Sequence, residues 1–109
     1  IAEVIREKLL TVLHQEVPYG LTVEVEHVGK RGENQTLIHA LIWIESRSHK
    51  AIVIGKGGRV LKVVGSAARQ ELTGLVGERV HLELWVKVRE NWADSERALR
   101  SLGFDLGTL

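Results

Sequence analysis

The sequence holds no cysteine and no methionine, and it has one proline, one tyrosine and one phenylalanine among 109 residues. Without cysteine there is neither a disulfide framework nor thiolate-ligated zinc, and a reducing, cytosolic setting is compatible with the chain. No stretch approaches the roughly 18 consecutive apolar residues that a membrane-spanning helix needs. Net charge is only +1, so the field of the whole molecule favours no class of partner. One further absence is local. Between Glu45 and Glu71 there is no acidic residue, while Arg47, Lys50, Lys56, Arg59, Lys62 and Arg69 all fall there. That window carries +6 and the rest of the chain −5. A local anion-binding face is the expectation.

What is present fits one small domain, since 44% of the residues are hydrophobic and the length suffices for a single core. The first residue is Ile rather than Met, from which we expect a fragment or a processed chain with a neighbouring domain outside it.

Periodicity orders the elements. Over residues 1–16, Ile1, Ile5, Leu9, Val12 and Leu13 form one stripe between charged residues, an amphipathic helix that Pro18 and Gly20 should end. From Leu21 the period becomes two, and a half-buried strand follows over 21–26. GKRGENQ at 29–35 reads as a hairpin loop. In the next strand, 36–45, Ile38, Ala40, Ile42 and Ile44 share a face, and we place this strand at the sheet centre. A short helical segment, HKAIVI, leads to a glycine turn. After it Leu61, Val64, Ala68, Leu72 and Leu75 stripe a long helix, with Arg59, Lys62, Ser66 and Arg69 opposite. Residues 79–89 alternate again, with Val80, Leu82, Leu84, Val86 and Val88 on one face. A short helix is expected over 91–103, stopped at Gly103. The fold class is therefore α+β, helices packed on one face of a three-stranded sheet.

The turn itself, Gly55-Lys56-Gly57-Gly58, carries lysine among glycines and suggests a phosphate. Neither Gly55-Lys56 nor Gly29-Lys30 has the glycine spacing and following Ser or Thr of a nucleotide P-loop. A dinucleotide fingerprint would need glycine at Val60. The pattern that remains is G-x-x-G between two helices. Glycines at 55 and 58 permit turn dihedrals and keep side chains away from a nucleic-acid backbone. The following helix offers free N–H groups and the positive end of its dipole. On its own the pattern is equally consistent with a purely structural helix-helix turn.

Other candidates are weaker. Histidines stand at 14, 27, 39, 49 and 81; His39 and His81 can share a sheet face but have no evident third partner, so we expect no metal site. No catalytic constellation is evident. Trp43 and Trp85 fall on the face away from the helices, readable as a docking surface or, as we prefer, as cross-strand packing covered by neighbours or the C-terminal tail.

The layout α-β-β-α-α-β with VIGKGG between its second and third helices resembles a type II KH domain. VPYG at 17–20, GSAAR at 65–69 and above all HLELWVKVRENWADSERALRSLG at 81–103 are similar to the C-terminal KH domain of the Era family of bacterial GTPases. That resemblance covers nearly the whole chain and implies a single RNA-binding domain over 1–109. The partner implied is single-stranded RNA near the 3′ end of small-subunit ribosomal RNA, during assembly of the small ribosomal subunit. It also implies an absent N-terminal GTPase domain that would hold GTP and magnesium, no cofactor and no enzymatic activity in this piece, and a cytoplasmic setting, with peripheral attachment to the inner membrane an option for the full-length family. Carried over, Gly55, Lys56, Gly57 and Gly58 face phosphate, Ile52 and Ile54 line an apolar base groove, and Arg59 and Lys62 meet the backbone, with Lys50 and Arg69 completing the basic set. Because Gly57 offers no side chain, binding should lean on Lys56. The alternative is a protein-interaction module that docks a GTPase domain or a ribosomal protein, its glycine turn only structural.

Overall fold

The computed structural model describes residues 1–14 and 16–89. Helix α1 covers Ala2–Val12, strands β1 and β2 cover Thr22–Lys30 and Gln35–Ile44, helix α2 covers Arg47–Ile54, helix α3 covers Arg59–Val76, and strand β3 covers Arg79–Val88. The helix expected at 91–103 lies outside the described residues.

Sheet order is β1-β2-β3, antiparallel between the first pair and parallel between the second, so β2 is central as its apolar content implied. Ile38, Ala40, Ile42 and Ile44 all point into the core and are essentially inaccessible. Each isoleucine there contributes about 1.5–3 kcal/mol through burial. Val64, Ala68 and Leu72 from α3, Ile5 and Leu9 from α1 and Val53 from α2 meet them, so all three helices pack on this face. Parallel pairing of β2 with β3 requires a crossover, and α2, the glycine turn and α3 supply it.

The structure departs from the periodicity in three places. Helix α1 stops at Val12, well before Pro18: Leu13 caps it, and His14 takes a left-handed conformation at φ 53 that breaks the helical ladder. The hairpin loop is shorter than the polar run suggested, because both strands extend into it and the Arg31 N–H donates to the Gln35 carbonyl at 2.7 Å. Along α3 the apolar stripe outruns the core, and Leu75 is exposed.

Candidate nucleic-acid interface

Helix α2 starts beneath Ser46, whose hydroxyl accepts from the His49 N–H at 3.2 Å, and is anchored in the core by Val53. It ends at Gly55, φ 78 and ψ 170, a conformation that L side chains rarely adopt. Space forbids a side chain there as well: a Cβ on Gly55 would stand 2.5 Å from Val60 Cγ2 and 2.9 Å from Val60 N. Gly57 and Gly58 also have positive φ, 65 and 78, but face open space. At these two positions it is the backbone, not crowding, that favours glycine. The Gly58 N–H donates to the Gly55 carbonyl at 3.1 Å, closing a single tight turn over Lys56–Gly58.

Helix α3 opens directly from this turn with Gly58 at its cap position and no side chain capping it. The Arg59 N–H turns back to the Lys56 carbonyl, while the positive dipole end of the helix, with no side chain over it, lies beside Lys56 and Arg59, an arrangement suited to an anion. Behind the turn, α3 and the edge strand β3 enclose a groove of about 480 Å³. Leu61, Gly65, Leu82 and Leu84 form its apolar part, and Gly58, Lys62, Ser66 and Arg69 its more polar side. The α3 contribution falls at spacings of three and four residues, one stripe along one helix face.

Lys50, Lys56, Arg59, Lys62 and Arg69 are all exposed, and among the described residues none has a side-chain hydrogen bond or an ion pair. Lys56 and Arg59 flank the turn, and Lys62 and Arg69 rim the groove. Lys50, on α2, lines a separate cavity of about 600 Å³ beside the later part of β3, with Trp43, Arg47, Val86, Lys87 and Val88. Ile52 is exposed on the outer face of α2, and Ile54 is half-buried at that helix's last position. Neither lines the α3–β3 groove, whose apolar walls come instead from Leu61, Leu82 and Leu84. Those leucines were visible in the sequence as an alternating strand and a helical stripe, but nothing local brought the two together.

Away from the groove, the outer sheet face carries His27, His39 and His81. Glu83 lies 2.8 Å from His39 Nε2 and 3.3 Å from His81 Nε2, and His27 meets His39 edge-on at 5.8 Å. Among the described residues no three His, Cys, Asp or Glu side chains converge on one point that could hold a metal. The two tryptophans of the sheet differ: the Arg89 guanidinium covers the Trp43 ring at 4.2 Å, whereas Trp85 is 58% exposed.

A turn of three positive-φ glycines, an uncapped helix start and a groove along the sheet edge define a KH architecture, and the chain belongs to the KH domain family, whose model matches residues 16–93. Within that family the similarity is to Era. The chain is 50% identical over 106 residues to GTPase Era of Alkaliphilus oremlandii and 52% identical over 104 residues to GTPase Era of Coxiella burnetii, covering 96% and 95% of this chain but 36% and 35% of theirs. Two solved structures superpose with 36% identity over 96% of the chain. One is an Aquifex aeolicus Era variant bound to GDP.AlF4-, with a TM-score of 0.76. The other is Era in complex with MgGDPNP and nucleotides 1506–1542 of 16S ribosomal RNA, with a TM-score of 0.77. The chain therefore spans about a third of these relatives, and both the fold and the family expected from the sequence are borne out.

Proposed function

We propose that this domain, residues 1–109, binds single-stranded RNA, with the strand's backbone against Gly55–Gly58 and the start of α3 and its bases in the groove between α3 and β3. The observation that carries this reading is the juxtaposition of an uncapped helix start with exposed, partnerless cations around an apolar groove. A purely structural turn has no use for either. In this reading Lys56 and Arg59 contact phosphates, Lys62 and Arg69 guide the strand along the rim, and Lys50 lies on the strand's continuation beside β3. Ile52 and Ile54, at the end of α2, lie beside the turn in sequence and outside the lining of that groove.

The solved relative that holds 16S ribosomal RNA nucleotides supports the 3′ region of small-subunit ribosomal RNA as the natural target, and a role in ribosome assembly in the cytoplasm. GTP and magnesium chemistry falls to a part of the longer protein outside this chain, because the Gly55 turn lacks the spacing that wraps a nucleotide triphosphate.

The test is single-stranded RNA binding by the wild-type chain and by the double variant Lys56→Asp, Gly57→Asp. Asp tolerates the left-handed conformation at position 57, so the fold should survive. Binding is expected to fall at least a hundredfold, roughly three kcal/mol for two charge changes at a gripped backbone. Equal binding by both proteins would remove the RNA reading in favour of a protein-interaction module.

A further inference from the structure

Gly65 lies in the middle of α3, where glycine weakens a helix relative to alanine. Its usual justifications do not apply. Its φ is not in the left-handed region that side chains avoid. Nor is space lacking: a Cβ at Gly65 would meet only Leu84 Cδ1, at 3.6 Å, an ordinary contact. Neither the backbone nor the packing of α3 on β3 therefore calls for glycine here.

What the missing side chain does is leave the groove open. Gly65 sits between Leu61 and Arg69 on the stripe that lines it, beside Lys62 and Ser66 and facing Leu82 and Leu84. Any side-chain atom there, a methyl included, would stand on the groove lining beside Leu84 and take up part of that space. Resting on the RNA reading above, we infer that Gly65 is the size-determining residue of the base groove, where bare helix backbone and the Leu84 side chain form the seat of one nucleobase. The seat is apolar and flat, suited to the face of a base rather than to its hydrogen-bonding edge. It should therefore discriminate by base size: a floor raised by one methyl excludes a two-ring purine before it excludes a one-ring pyrimidine.

The same helix supplies a control. Gly74 is exposed on α3 outside the groove, and a Cβ there meets nothing within 4 Å. Gly65→Ala and Gly74→Ala should both raise the melting temperature through helix propensity. Only Gly65→Ala should weaken RNA binding, by about tenfold, the scale of one lost base-stacking contact. That loss should be larger for purine-rich than for pyrimidine-rich oligonucleotides, and Gly65→Leu should deepen it. The inference is overturned if Gly65→Ala melts higher yet binds both oligonucleotides like wild type, or loses affinity equally for both. It is also overturned if Gly65→Ala melts lower, because glycine would then be a packing requirement. Measuring the Lys56→Asp, Gly57→Asp variant alongside separates the two levels of the argument. If that variant loses binding while Gly65→Ala does not, only the base-seat inference fails; if neither loses binding, the RNA reading itself fails.

Discussion

Cations on two sides of α3 are treated differently. On the side facing α1, Lys8 reaches Glu71 at 2.9 Å and also Glu7, and at the hairpin end Lys30 pairs with Glu78, which further accepts from the buried Thr36 hydroxyl at 2.9 Å. On the side facing the groove, Arg59, Lys62 and Arg69 extend from the same helix with no partner among the described residues. The first set is neutralised within the fold. The second holds its charge outward, and a patch of unneutralised like charge is a mild cost to the folded state that an anionic partner relieves. On the proposed reading the paired set serves the fold, and the unpaired set along the groove meets the RNA.

The largest effect that can break this contrast comes from the turn that supports the unpaired side. Gly55→Ala must adopt the positive-φ, extended conformation that is nearly confined to glycine, costing about 1–3 kcal/mol, and press on Val60, adding about 1–3 kcal/mol. Urea denaturation should show this loss, while Gly57→Asn, left-handed but unobstructed, should stay close to wild type.

Next in size are the rim charges. With about four phosphate contacts, the logarithm of RNA affinity against the logarithm of salt should have a slope near −3, at roughly 0.7 per contact for single strands. Lys62→Ala should make that slope shallower by about 0.7, as should Arg69→Ala, and Lys8→Ala should leave it unchanged. A change of slope in the Lys8 variant would dissolve the distinction between the two sides.

The smallest effects lie in pH. Hydrogen bonds from Lys30 and then Thr36 hold the Glu78 carboxyl below its ordinary value. Its contribution to stability is therefore complete above the ordinary glutamate range and is lost as pH falls through the lowered folded value. Lys8 is shifted upward, chiefly by its bond to Glu71, so its contribution is present below the ordinary lysine value and is lost as pH rises through the raised one. Thermal melts should show the gap between wild type and Glu78→Gln closing in acid, and that between wild type and Lys8→Met closing in alkali. Both steps should be modest, because these pairs are partly solvated.

How much of this was legible in the sequence depends on how far apart the cooperating residues lie. The inward set of β2 and the stripe of α3 follow from side-chain periods alone, and Ile42 and Val64 fall where those periods put them. The glycine turn was legible too, because a left-handed conformation favours one residue type. By contrast, the groove joins Leu61 to Leu84 through a parallel pairing whose register no local pattern encodes, whereas Ile52 and Ile54 are the apolar residues that lie next to the turn in sequence. His14 ends α1 by adopting a left-handed conformation that a histidine does not announce. Trp43 and Trp85 alternate identically in sequence. Only the register, which sets Trp43 opposite Lys87 and brings Arg89 over its ring, explains why one is covered and the other is not.

The uncapped start of α3 has a dynamic consequence. Helix α2 caps its first turn with its own Ser46, whereas the first turn of α3 has no side-chain cap, only the Arg59 N–H bond to the Lys56 carbonyl. Amide protons there have no side-chain acceptor to hold them, so in the free domain they should exchange with solvent faster than those of the Val64–Leu72 segment. A bound strand that supplies the acceptors would slow that exchange and raise the melting point in proportion to occupancy. The first turn of α3 can thus report its own ligand, as local order gained rather than as charge neutralised.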